Sequence, residues 1–163
     1  MSENALMTDL LAIADRLASE TPQARLLWRA AVEIGERQGL GQSPHGERFI
    51  VPIQGGVFRG GPDHADLHGR VLPGGADRQL LRPDGLRELD ALYEMQVHDG
   101  AVLTIRNRVL VDDTCQPRYA RSVVQVRAPN GAWSWLNRRC LIGTLQPLRP
   151  AAQAVLVSVF ALE

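Results

Sequence analysis

The chain has 163 residues, enough for one domain with a sizeable core. At 45% hydrophobic and 22% charged residues it is globular in composition rather than disordered. Its 18 basic and 18 acidic side chains cancel, which removes the field that would draw it to nucleic acid or an anionic membrane. Aromatic residues are only 5% and no basic patch accompanies them, so a base-stacking platform is not expected either. No apolar run approaches the roughly 18 residues of a membrane span. The start, Met1-Ser2-Glu3-Asn4, lacks the basic opening of a secretory signal, and the expected location is the cytoplasm.

In chain order, residues 8–19 predict an amphipathic helix: Leu10, Ile13, Ala14, Leu17 and Ala18 recur at helical spacing. Thr8 is a suitable cap and Thr21-Pro22 a stop. One short helix cannot bury its stripe alone, so packing on its own domain is expected, with a partner as the other choice. The division follows: residues 1–24 are a helical extension and 25–163 form the domain.

After Pro22 the pattern alternates. Strands are expected at 25–34, 48–53, 67–71, 77–81, 86–97, 101–110, 119–127, 135–144 and 155–162, separated by Gly, Pro, Asn and Asp. Within 86–97, Leu89, Ala91, Tyr93, Met95 and Val97 share one face, and Glu88, Asp90, Glu94 and Gln96 the other. Asp99-Gly100 and Asn130-Gly131 are hairpin signals. Residues 36–46 and 55–64, rich in Gly and Pro, read as loops. Some nine strands joined by short turns would leave long open edges unless the sheet closed. The expected fold is therefore all-β, a single antiparallel meander closed into a barrel with one N-terminal α-helix; a two-sheet sandwich is the alternative.

Several groups carry chemistry. The turn Gly74-Gly75-Ala76-Asp77 combines conformational freedom with a carboxylate, though it lacks the lysine and hydroxyl residue of a phosphate loop. Asp90 lies on a regular strand, where Asp is disfavoured; facing a barrel interior it would need a partner or a raised pKa, and Arg106 and Arg121 are the candidate partners. Arg106 suits a carboxylate fork, Tyr93 and Trp135 a flat wall, and Asn107 and Asn137 directional amides. Asp77 and Asp90 are thus the candidate catalytic carboxylates, and Tyr93, Arg106, Asn107, Arg121, Trp135 and Asn137 the candidate ligand-binding residues. His64, Asp66 and His68 would share a strand face, but Gly and Pro flank them; they read as surface loop residues, and no metal is expected. Cys115 and Cys140 are too few for a disulfide scaffold. Each reads as a reduced thiol, Cys140 as a small core residue, with a bridge between them left open. No nucleophile elbow, paired CxxC or dinucleotide fingerprint is present, and no cofactor is expected.

Several segments in one order carry a resemblance: 48–56 (RFIVPIQGG), 69–77 (GRVLPGGAD), 82–85 (RPDG), 89–93 (LDALY), 99–101 (DGA), Arg106-Asn107, 119–122 (YARS), 135–137 (WLN) and Ile142-Gly143. From about residue 26 to 162 the chain resembles the DUF3237 (UPF0311) proteins. The resemblance implies a small closed β-barrel with an internal cavity, and no reaction. The chain departs from the family pattern at Arg78, Leu92, His98 and Val109.

Together these readings lead to a barrel that takes a small-molecule ligand, with neither nucleic acid nor membrane as partner and a homodimer as an open option. Two functions suit it. One is a cofactor-free isomerase, lyase or cyclase acting on a small hydrophobic or aromatic acid by acid–base chemistry. The other is a non-catalytic binding module for a small apolar ligand.

Overall fold

The computed structural model describes residues 3–163. Helix α1 (Glu3–Ala14) precedes ten strands: β1 (Ala24–Ile34), β2 (Gln38–Ser43), β3 (Gly46–Gly60), β4 (Gly69–Val71), β5 (Ala76–Leu81), β6 (Arg87–Val97), β7 (Val102–Asp112), β8 (Tyr119–Arg127), β9 (Leu141–Pro147) and β10 (Ala154–Leu162). A 3-10 helical turn, Ser134–Arg138, lies between β8 and β9. Every pairing is antiparallel, and β1 pairs both β10 and β3, so the sheet closes into a barrel. It has eight positions around the ring, because β4 and β5 together fill the gap between β3 and β6. Closure removes the open edges that a flat meander of this length would expose.

The two segments expected as loops from glycine content are strand over 38–43 and 55–60, and only 36–37, 44–45 and 61–64 stay irregular. Residues 38–43 pair with the start of β3, and the reversal is tied by the Ser43 hydroxyl donating to the Gly46 carbonyl at 2.9 Å. Gly55 and Gly56 lie inside β3, where a side chain on Gly56 would come within 2.2 Å of the Ala31 carbonyl oxygen. Glycine here permits close approach of β1 rather than a turn. The Asp99-Gly100 hairpin forms as expected, with the Val97 N–H bonded to the Ala101 carbonyl at 2.8 Å. The second expected hairpin does not: Asn130-Gly131 leads into the 3-10 turn, and β9 starts at Leu141, not 135.

Inward residues follow the period of two and sort into halves. At one end Leu27, Trp28, Met95, Leu103 and Ile105 are fully buried. Leu67, from the β3–β4 connection, and Trp133 and Leu136, from the 3-10 segment, pack on them and seal this end. The Asn137 side chain pins the seal: its Oδ1 accepts the Ala128 N–H at 2.9 Å, and its Nδ2 donates to the carbonyls of Ala128 (3.0 Å) and Ser134 (3.1 Å). The other half of the barrel is open.

Three local expectations are corrected. α1 spans Glu3–Ala14 and not 8–19; Thr8 sits within it, donating to the Asn4 carbonyl at 2.9 Å instead of capping. None of its residues is buried, so it does not pack on its own domain. Cys140 is exposed ahead of β9 and is no core residue; Cys115 is exposed too, and both are free. No helix among the described residues is long and apolar enough to cross a membrane.

Candidate functional site

The open half encloses a cavity of about 570 Å³. Its walls are apolar, supplied by Val32, Ile34, Val51, Ile53, Leu89, Val109, Leu145 and Val157. Four arginines, Arg37, Arg87, Arg118 and Arg149, and one carboxylate, Asp77, are the charged residues that line it. The arginines come from strand ends and connections on one side: just after β1, the start of β6, just before β8 and just after β9. They therefore ring the mouth. Asp113 engages two of them, Arg87 at 2.7 Å and Arg118 at 2.8 Å, and Arg37 lies 4.1 Å over the Phe49 ring. Arg37 and Arg149 have no carboxylate partner among the described residues. In an otherwise neutral protein this concentrates positive potential at one opening.

Deeper in, register sets the arrangement. Asp77 pairs Ala91 across β5 and β6, and Ala91 pairs Asn107 across β6 and β7. The small Ala91 side chain leaves a space with Asp77 on one side and Asn107 on the other. Tyr93, two residues further along β6 on the same face, lies beneath it toward the sealed end. Gly75 makes room for this packing: a side chain there would come within 2.6 Å of Tyr93 Cβ and 2.5 Å of the Leu92 carbonyl oxygen.

The Gln79 Nε2 donates to the Asp77 Oδ2 at 2.7 Å, and the Asp90 backbone also favours the charged carboxylate. Its Oδ1 is buried without a partner, as are the Tyr93 hydroxyl and Asn107 Oδ1. Among the described residues two more buried side-chain atoms, Trp28 Nε1 and Ser122 Oγ, lack partners elsewhere, so three of the five gather around this cavity. Burial raises the Asp77 pKa to about 6, although the bond from Gln79 works the other way. Burial, with the negative charge of Asp77 nearby, pushes the Tyr93 phenol well above its ordinary value, so it remains a protonated donor.

Asp77, Tyr93 and Asn107 thus meet in the cavity. The other expected residues lie elsewhere, which corrects the single site drawn from sequence. Asp90 precedes Ala91, so it points outward, where Arg106 grips it in a fork at 2.9 and 2.7 Å. The Arg106 bonds hold Asp90 below its ordinary pKa, the opposite of a poised base. Arg121 is also on the outer face, over the Tyr119 ring at 5.5 Å. Trp135 is in the 3-10 turn at the sealed end, stacked on His64 with centroids 5.2 Å apart. Asn137 serves the seal, as described. The 64–68 segment gathers no metal set: no group of three or more His, Cys, Asp or Glu suited to a metal occurs among the described residues. His68 instead stacks on His98 at 4.5 Å. Sequence reading missed Gln79 and the four arginines at the mouth. Gln79 was legible as the next residue on the Asp77 face; the arginines were not, since they converge from four separate places.

The family described as "protein of unknown function (DUF3237)" matches residues 22–162, the whole barrel. The chain belongs to the DUF3237 family. A UPF0311 protein of Rhodopseudomonas palustris is 37% identical over 87 residues, 53% of this chain and 54% of that one. A UPF0311 protein of Clostridium acetobutylicum is 44% identical over 62 residues, 38% of this chain and 37% of that one. The chain thus spans about half the length, or less, of these curated relatives. Solved structures similar to this chain include a conserved protein of unknown function from Rhodopseudomonas palustris, with 27% identity and a TM-score of 0.78 over 89% of this chain and 100% of that one. A β-barrel-like protein from Acinetobacter baumannii gives 25% and 0.77 over 90% and 99%. An enzyme from Penicillium herquei shares the fold at 22% identity and a TM-score of 0.69, over 90% and 100%.

Proposed function

We propose that this DUF3237 barrel binds a small hydrophobic or aromatic acid and transforms it by acid–base chemistry without a cofactor, Asp77 acting as the base. The observation that carries the reading is the buried, unpartnered Asp77 Oδ1 in an apolar cavity. A carboxylate whose pKa is about 6 is mostly ionised at neutral pH and still basic enough to accept a proton from carbon or oxygen. The arginines at the mouth favour an acid that enters tail first, its carboxylate kept among Arg37 and Arg149 and its apolar body against Leu89, Val109 and Leu145. That the Penicillium herquei barrel is an enzyme is compatible with catalysis in a barrel of this shape.

Asp90 and Arg106 have no part in this reading, because they satisfy each other outside the barrel. The test is native mass spectrometry of the purified protein, followed by calorimetry with a panel of apolar carboxylic acids. Binding that weakens at least tenfold in Arg149→Ala, together with turnover lost in Asp77→Asn, is the expected result. Saturable binding with no conversion of any bound acid would leave the barrel a binding module. Tight binding of neutral molecules in preference to acids would overturn the orientation.

A further inference from the structure

We infer that the cavity is built to enolise a carbonyl group, with Asp77 taking the proton and Tyr93 and Asn107 holding the oxygen. The inference rests on the acid-binding cavity proposed above and narrows its substrate to an apolar acid that also carries a ketone with an adjacent C–H.

The placement of donors and acceptor supports it. The space over Ala91 is bounded by Asp77, Asn107 and Tyr93, and each presents a polar atom with no protein partner. Tyr93 is 3% exposed and Asn107 2%, so neither is satisfied by bulk water. The Tyr93 hydroxyl can donate, and the Asn107 amide, turned about its last torsion, presents its NH2. Two donors and one base around an apolar floor match an enolate: negative charge develops on the oxygen as the proton leaves the carbon. Gln79 occupies the second Asp77 oxygen and leaves Oδ1 without a protein partner.

The step balances without a co-reactant. Asp77 Oδ1 takes the proton from the carbon beside the carbonyl. The C–H electron pair becomes the C=C bond of the enolate, and the carbonyl π pair moves to oxygen. Tyr93 and Asn107 donate hydrogen bonds to that oxygen and keep their protons. Asp77 trades that proton with solvent and then delivers one either to the same carbon, giving exchange, or to the far end of a conjugated double bond, giving an isomer. The phenol of Tyr93 is held protonated by burial and by the charge of Asp77, as the donor role requires.

Three oxo acids serve as probes: levulinate, 4-oxocyclohexanecarboxylate and 4-acetylbenzoate. Proton NMR in water follows binding by line broadening, and in heavy water it follows loss of the signals beside the ketone. The wild-type chain is expected to exchange at least one bound probe faster than buffer does. Asp77→Asn should bring exchange to the buffer rate, and Tyr93→Phe should slow it about 100-fold while leaving probe affinity nearly unchanged, the effect of removing one oxyanion donor. If every probe that binds exchanges no faster than with Asp77→Asn, enolisation is overturned and the acid-binding cavity stands. A Tyr93→Phe variant that exchanges at the wild-type rate does the same. If none of the three binds at millimolar concentration, the acid-binding cavity is refuted and this inference with it.

Discussion

Replacing Asp77 with asparagine should stabilise the barrel above pH 6, and the gain should vanish in acid. In the folded chain Asp77 binds its proton more tightly than in the unfolded one, since burial moves its pKa from 3.8 to about 6. Between those two values the folded state holds a proton that the unfolded state has released, so stability falls as pH rises through the window. Above it the penalty is constant. At about 1.36 kcal/mol per pH unit, it amounts to about 3 kcal/mol. Asparagine escapes this ionisation penalty but leaves its own amide partly unpaired where Oδ1 stood, so a net gain of about 1–2 kcal/mol is expected. For a chain of this size that is a rise of about 3–6 °C in Tm. The assay is thermal unfolding of wild type and Asp77→Asn by circular dichroism, in steps from pH 4.5 to 8. The difference in Tm should open between pH 4.5 and 7 and then stay level; all other titrating groups are common to both proteins and cancel. Parallel curves, or a variant less stable than wild type at pH 8, would refute the claim that this carboxylate is ionised at a cost. A residue that destabilises the fold and is kept at the cavity is what a stability–activity trade-off produces.

Four other outcomes follow from the same geometry. Gly75→Ala should cost about 1–3 kcal/mol in denaturant unfolding, and weaken ligand binding too, because the new methyl displaces Tyr93. Asn137→Ala removes three hydrogen bonds from the sealing turn and should lower stability by about 1–2 kcal/mol, with a change in tryptophan fluorescence reporting the looser seal. Arg106→Ala breaks an exposed pair on the outer wall; the unfolding midpoint and ligand affinity should both stay close to wild type, and a large loss of affinity would return Arg106 to the site. Removing residues 1–21 should leave the barrel's Tm unchanged, since no residue of α1 is buried.

The strands were legible where alternation was clean. On β6, the face with Leu89, Tyr93, Met95 and Val97 is the buried one, and the facing of Asp90 follows from it by the period of two. Glycine misled where it served close packing: Gly55 and Gly56 signalled a loop and lie within a strand. Trp135 was expected to open a strand, but the backbone coils there into a 3-10 turn, and Trp133 at its start and Leu136 within it fill the barrel end. No local pattern announces that the space beneath them needs a plug.

The candidate site divides in the same way. Asp77 and Tyr93 could be singled out as residues, one a carboxylate beside a flexible turn and the other an aromatic on an apolar face. The outward facing of Asp90 follows from the β6 alternation, but the burial of Asp77 could not be read, because it depends on the register of β5 against β6, and a shift of one residue reverses its face. Composition, alternation and turn residues determined by themselves that the chain makes an antiparallel all-β domain that must hide its edges, since these are local or summed properties; the pairing of β1 with both β3 and β10 decided for a barrel over two stacked sheets. The tertiary structure alone decided that four distant arginines surround one mouth, that Asp90 is spent on Arg106 outside, and that Asp77, Tyr93 and Asn107 line one cavity. Those relations depend on which strands become neighbours and at what register, and closure of the ring settles that only once the whole chain is in place.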